Sequence, residues 1–401
     1  MKSIATALSI IALGFGLVSC TGSGGGGSAQ GFAVSTTAAD YGVVDNLYTS
    51  TLAVTGGTAP FSWMLFVGAL PAGLTLNPGT GVVSGTPTTA GNVTTTFTVT
   101  DSTGKTATGS VLFSIHPRTD RVSVDSNGTA GNGASTEPAI SRTSGRFIAF
   151  TSLATLAPTP NGSGAQIFVH DRQTGQPSLV SINDVGNAGN GTSSQPTISA
   201  DGRYVAFTSL ATTLAPIPGG SGTQIFLRDT QTGTTTLVSQ DAGFAGNGAS
   251  SQPTISADGR YVAFTSLATT LAPIPGGSGT QIFLRDTQTG TTTLVSQDAG
   301  FAGNGASSQP TISADGRYVA FTSAATTLAP TPNGSGTQIF LRDTQGNTTI
   351  LVSRDASGDA GNGASSAASI NSNGGFVAFS SAADFALGAT GPVDIYICAL
   401  P

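Results

Sequence analysis

Charge is scarce in this chain. Charged side chains make up 8% of 401 residues, with net charge −6 and a sequence pI near 4.7. Ordinary globular domains carry roughly 25% charge. No basic stripe is present, so nucleic-acid binding lacks its electrostatic driving force. There are two histidines, His116 and His170, too few for a His-rich metal site. A Ser-His-Asp triad would need one of them, and no supporting motif accompanies either. The one glutamate is Glu137, so paired-carboxylate hydrolysis would fall on aspartates alone. The two cysteines, Cys20 and Cys398, build no disulfide framework.

What is abundant is repetition. Ser194–Ser250 and Ser251–Ser307 are identical strings of 57 residues. Pro138, Pro196, Pro253, Pro310 and Ala368 mark five aligned units, in steps of 58, 57, 57 and 58. Phe150, Phe207, Phe264, Phe321 and Phe379 follow at matching places. Within one unit, Pro196–Ser199, Tyr204–Thr208, Gln224–Arg228 and Thr235–Ser239 alternate as short strands. Asp201-Gly202 and Gln231-Thr232-Gly233 supply tight turns between them. Repeats of this length with four short strands predict an all-β fold built from propeller blades.

The fifth unit stops after its third strand, Ile395-Tyr396-Ile397. An orphan fourth strand, Arg121–Asp125, precedes the first unit and aligns with Leu237–Asp241. Pairing the two would close the ring and remove its sheet edges. The expectation is a five-bladed β-propeller closed by this N-terminal strand, over residues 117–401. A strand exchanged between chains is the alternative. The run Pro196–Phe207 with Gln224–Asp229 resembles the WD40-like (PD40) repeats of the TolB propeller family. Nothing resembles that family's separate amino-terminal domain, so its partner-binding role does not carry over.

The start of the chain reads as an address. Lys2, an apolar run from Ile4 to Val18, and Leu17-Val18-Ser19-Cys20 make a secretory signal over residues 1–19. The last four residues resemble the lipobox of bacterial lipoproteins. That resemblance implies lipidation of Cys20 (palmitate among the acyl chains), membrane attachment without a spanning helix, and, with Thr21 next, the outer membrane. Residues 20–30 are a Gly/Ser-rich tether of roughly 18 Å root-mean-square length.

Residues 31–116 differ from the repeats. Phe97-Thr98-Val99 and Val111–Ile115 alternate, and Gly56-Gly57, Pro78-Gly79 and Ser102-Thr103-Gly104 punctuate them. Many short strands predict a β-sandwich. Leu70–Leu76, Gly81–Pro87 and Phe97–Asp101 resemble the Ig-like, cadherin-like modules of bacterial surface proteins, which act as spacers or adhesion modules. Trp63, the single tryptophan, reads as core. The resemblance to cadherin relatives offers Asp101 as a calcium ligand, a signal that lacks partner carboxylates.

Two connections in each repeat are long, Leu210–Gly222 and the stretch around Ala242–Gly248. Up-and-down topology puts both on one face, the expected place for binding residues. Asp201, Asp258 and Asp315, and Asp171, Asp229, Asp286 and Asp343, read as turn residues. Asp125, Asp184, Asp241, Asp298 and Asp355 open the long loops; they either order them through Asx turns or offer oxygen ligands to calcium. No other cofactor is implied. Gly189-Asn190-Gly191 is no dinucleotide loop, since no helix follows. His170 takes the place of Arg228, Arg285 and Arg342 on a strand, which reads as an interchangeable surface position, and Cys398 at another such place reads as drift at the chain end. The reading is a lipid-anchored envelope scaffold that binds protein or glycan. The alternatives are a polysaccharide hydrolase with an Asp-based site in the propeller channel and a calcium-stabilised surface module.

Overall fold

The computed structural model describes residues 31–158, 162–274, 276–331, 334–385 and 393–400. The signal segment, Cys20 and the tether fall outside these residues. No helix among the described residues is long and apolar enough to cross a membrane. The chain divides into two compact units, one mainly of residues 31–39, 45–88 and 92–113, the other mainly of residues from 114 on.

The first unit is all β. Ser62–Val67, Gly91–Thr100 and Thr106–His116 run antiparallel in one sheet, and Tyr48–Thr51, Val82–Gly85 and Leu74–Leu76 form another. Alternation along Gly91–Thr100 buries Phe97 and Val99 and leaves their neighbours outside. Trp63, Val83, Val111 and Phe113 are buried with them, so the tryptophan is core, as its sequence context suggested. Asp101 accepts hydrogen bonds from the Thr58, Thr103 and Lys105 amides and from the Thr103 hydroxyl. These bonds, the hydroxyl's first, hold its carboxyl below the usual range and make it a turn cap.

The second unit is a series of repeated antiparallel sheets. The first has strands Ser135–Ile140, Phe147–Ser152, Gln166–Asp171 and Gln176–Leu179. The second has Ser193–Ile198, Tyr204–Ser209, Gln224–Asp229 and Thr234–Leu237. The third and fourth repeat it, at Ser250–Leu294 and Ser307–Leu351. Among the described residues the fifth has three strands, Ser365–Ile370, Phe376–Ser381 and Asp394–Ala399.

The first strand of each repeat starts earlier than its proline suggests, because the ladder continues across a bulge. In the second sheet the register shifts between Ser194 and Thr197, with Gln195 at φ +54°. The bulge turns the Gln195 side chain toward its neighbours. Its Oε1 accepts from the Thr208 hydroxyl and from the Gln252 amide of the next sheet. Gln252 does the same for Gln309, and Gln309 for Ala367, while Glu137 begins the series by accepting from the Gln195 amide.

Apolar side chains lock consecutive sheets together. Ala206, Ile225 and Leu227 of the second pack on Ile255, Val262 and Phe264 of the third, and the same set recurs at the next junctions. The glycine of each Asp-Gly turn, and of Asn373-Gly374 in the fifth sheet, lies on an aromatic ring of the preceding sheet. A Cβ on Gly259 would sit 2.2 Å from Tyr204 Cδ2, and Gly202, Gly316 and Gly374 meet Phe147, Tyr261 and Tyr318 likewise. These turns therefore need glycine twice, for a left-handed φ and for space.

The expected closure does not occur. Arg121–Asp125 pairs with no strand of the fifth sheet; Val124 instead bridges Ala130 within its own loop. Among the described residues Asp394–Ala399 pairs with Phe376–Ser381 alone, and no sheet closes on itself into a barrel or propeller. The turn that follows is not the obstacle: Asp125 Oδ1 accepts from the Asn127 and Thr129 amides just as Asp355 does in the loop after the strand Thr348–Leu351. The stretch before it, residues 117–121, forms no strand, and its apolar end is held elsewhere. Val122 packs against the first sheet.

Candidate ligand-binding site

The long connections do come together, and their side chains tie them to each other. The Ser221 hydroxyl donates to the Asn247 carbonyl, and Gln224 Nε2 donates to the Ser221 and Gly246 carbonyls. Asn247 Oδ1 accepts from the Thr269 amide of the next repeat. Asn190 and Asn304 repeat that contact with Thr212 and Thr326. The Gly-Asn-Gly stretches are thus inter-repeat staples. A Cβ on Gly248 would lie 2.8 Å from the Leu267–Ala268 backbone, so only glycine admits the approach. A cavity of about 440 Å³ opens on this side, lined by Asp184, Val185, Thr212, Thr213 and Pro216 among others.

The five aspartates at the loop starts fall into different settings. Asp355, like Asp125, caps its own loop, accepting from the Ser357 and Asp359 amides. Asn183 takes that role in the second loop, and Asp184 beside it accepts from the Thr235 amide of the following sheet. Asp241 and Asp298 sit in two-residue hairpins paired to Phe244 and Phe301. No three His, Cys, Asp or Glu side chains are grouped to hold a metal among the described residues.

Arg228, Arg285 and Arg342 are buried, which corrects their reading as surface positions. Burial pushes each guanidinium pKa down, and Asp184, Asp241 and Asp298 respectively oppose it. Arg228 Nη1 donates to the Thr235 hydroxyl at 3.0 Å, and Arg285 does so to Thr292. His170 is buried as well, and burial lowers its pKa. Cys398 is half-buried; burial raises its thiol pKa.

The other short turn holds what sequence reasoning missed. Asp229 does cap its turn, accepting from the Gln231 amide. It also takes a bidentate pair from Arg203, Nε at 3.0 Å and Nη2 at 2.6 Å. Arg260–Asp286 and Arg317–Asp343 repeat the geometry, and Arg146–Asp171 opens the series. The arginine hydrogen bonds hold the Asp229, Asp286 and Asp343 carboxyls at about 2, against burial. The Arg203 guanidinium also covers the Tyr204 ring, 4.7 Å from its centroid. The signal was present: Asp-Gly-Arg recurs in step with Leu-Arg-Asp.

Between these pairs runs a groove. At the junction of the second and third sheets it measures about 430 Å³, lined by Tyr204, Asp229, Thr234, Thr236, Arg260 and Gln288 among others. The junction of the first and second sheets repeats it at about 310 Å³, with Phe147, Asp171, Gln176 and Ser178 in the matching places. Hydroxyls, a carboxylate and an aromatic edge thus converge at both junctions, with the Arg260 guanidinium added at the second.

Residues 29–116 match the family described as Putative Ig domain. The N-terminal unit is an Ig-like domain. No curated protein matches the chain. Among solved structures, the chain is similar to a putative TolB from Agrobacterium tumefaciens, with 16% identity over 67% of this chain and 78% of that one, at a TM-score of 0.41. It is also similar to a puromycin-hydrolyzing peptidase of Mycobacterium tuberculosis, with 14% identity over 67% of this chain and 36% of that one, at 0.39. A putative alpha-galactosidase from Bacteroides fragilis shares 22% identity over 20% of this chain and 16% of its own, at 0.18. Likenesses at these TM-scores carry neither fold nor activity over to the chain.

Proposed function

We propose that this chain is a binding scaffold of the cell envelope, held to the membrane through Cys20, with the Ig-like domain as spacer and the repeated sheets as the binding part. The observation that supports it is the recurrence of one polar groove at successive sheet junctions. Its lining suits a glycan: threonine hydroxyls, Gln288, and the Asp229 and Arg260 side chains offer planar hydrogen-bonding partners beside an aromatic ring. Repeated sites on one chain gain avidity toward a repeating polymer without any new contact. The Asp229 and Asp286 carboxylates are engaged by arginine, which leaves them poor proton donors and weighs against hydrolysis in the groove.

Thr234 and Thr236 are exposed at the groove wall, so filling it there spares the core. Calorimetric titration of the full chain with defined hexose and N-acetylhexosamine oligosaccharides should show binding. The Ser178→Trp/Thr236→Trp variant, which fills both grooves from exposed positions, should weaken it at least tenfold. Absence of binding to every oligosaccharide, or equal binding by the variant, would overturn the glycan reading and leave a protein partner to be sought.

A further inference from the structure

We propose that copies of this chain associate head to tail, the fifth sheet of one stacking on the first sheet of the next. The contact would continue the junction that already joins the five sheets of one chain, and it is independent of the glycan reading.

The fifth sheet carries an open face. In the second sheet, Ile225 and Leu227 face the third sheet and are buried. Their counterparts in the fifth, Ile395 and Ile397, are 77% and 71% exposed. Phe376, at the place of Tyr204, is 47% exposed, with no following Asp-Gly turn to lie on it. The face that the fourth sheet buries against the fifth is open on the fifth itself.

The head shows the matching gap. Ile198, Ile255, Ile312 and Ile370 each pack against the preceding sheet and are at most 7% exposed. Ile140, at the same place in the first sheet, is 56% exposed. Backbone bonds between turns follow the same order. Thr143 donates to Ala200, Ala200 to Ala257, Ala257 to Ala314 and Ala314 to Ser372. Among the described residues the series ends with the Ser372 amide on the fifth sheet and the Thr143 carbonyl on the first, a donor and an acceptor.

Each end therefore presents what the other receives at four junctions within the chain. Open apolar ends of a repeat array, without polar capping units, favour association. A contact between unlike ends is heterologous, so each added copy exposes a fresh end.

Sedimentation equilibrium of the full chain in density-matched detergent tests this. Wild-type chain should show a weight-average mass that rises with concentration beyond the dimer. Ile395→Asp/Ile397→Asp blocks the tail and Ile140→Asp the head; all three side chains are largely exposed, so folding should be spared. Each variant alone should be monomeric. Mixed in equal amounts they should form a 1:1 dimer and stop there, because one sound head and one sound tail remain. That dimer also reports that both variants are folded. Monomeric wild-type chain, undiminished association of either variant, or no dimer in the mixture would overturn the proposal.

Discussion

Replacing Gly259 with alanine tests the sheet-to-sheet lock at one atom. The residue has φ +77°, and its new Cβ would lie 2.2 Å from Tyr204 Cδ2. Two costs add. The left-handed backbone costs about 1–2 kcal/mol for a residue with a Cβ. Forcing the ring aside costs about 1–3 kcal/mol more, as overpacking generally does. Gly243 separates them, since it has φ +85° and nothing within 4 Å of a Cβ. Gly243→Ala should therefore carry the backbone cost alone; its neighbour Ala242 already sits at φ +46°. The expected gap between the two variants is about 1–3 kcal/mol, or roughly 2–4 °C of melting temperature per kcal/mol in a unit of this size. In a Tyr204→Ala background the gap should shrink, because the ring is gone, and the difference is the coupling energy. Melting of the full chain followed by circular dichroism supplies all four values. If Gly259→Ala costs no more than Gly243→Ala, or costs the same with and without the Tyr204 ring, the lock is not the junction's source of strength.

Asp229, Asp286 and Asp343 have folded-state pKa values of about 2, below the usual 3.8. A depressed carboxyl contributes its full stabilisation above the unfolded value and loses it as pH falls toward the folded one. Melting temperature should therefore hold above about pH 4 and drop between about pH 4 and 2; a curve that stays flat down to about pH 2 would sever these pairs from stability. Gln252→Ala removes the acceptor for the Gln309 amide and the Thr265 hydroxyl, at 3.0 and 3.1 Å. The expected loss is about 1–2 kcal/mol in urea titration, and a neutral result would show that solvent replaces the rung without cost.

The repeat unit was legible because its signals are local. Asp201-Gly202 turns the chain within a few residues, and Tyr204–Ser209 alternates in a period that only a strand satisfies. The Ig-like segment was legible for the same reason. Closure of the ring was not, because it depends on how far each sheet is rotated on its neighbour, and no residue encodes that alone. Sequence likeness between Arg121–Asp125 and the end of a fourth strand supplied a candidate, and the turn and bridge that follow are those of the fourth sheet, but residues 117–121 form no strand and Val122 packs on the first sheet. Burial of Arg228 was hidden for a related reason. A charge on a strand reads as an outward position until the Thr235 hydroxyl and Asp184 are brought to it from a following strand and a preceding loop. The groove escaped notice because its walls belong to different repeats.

The series from Glu137 to Ala367 asks the same of every junction. A closed ring fixes how many units it can hold, since each takes a set share of a full turn. An open stack has no such limit. Recombination between the identical copies Ser194–Ser250 and Ser251–Ser307 would insert or delete a whole unit and leave every remaining junction as it was. Length in this protein is thus a countable trait, one that a lineage could change in single steps without passing through a misfolded intermediate.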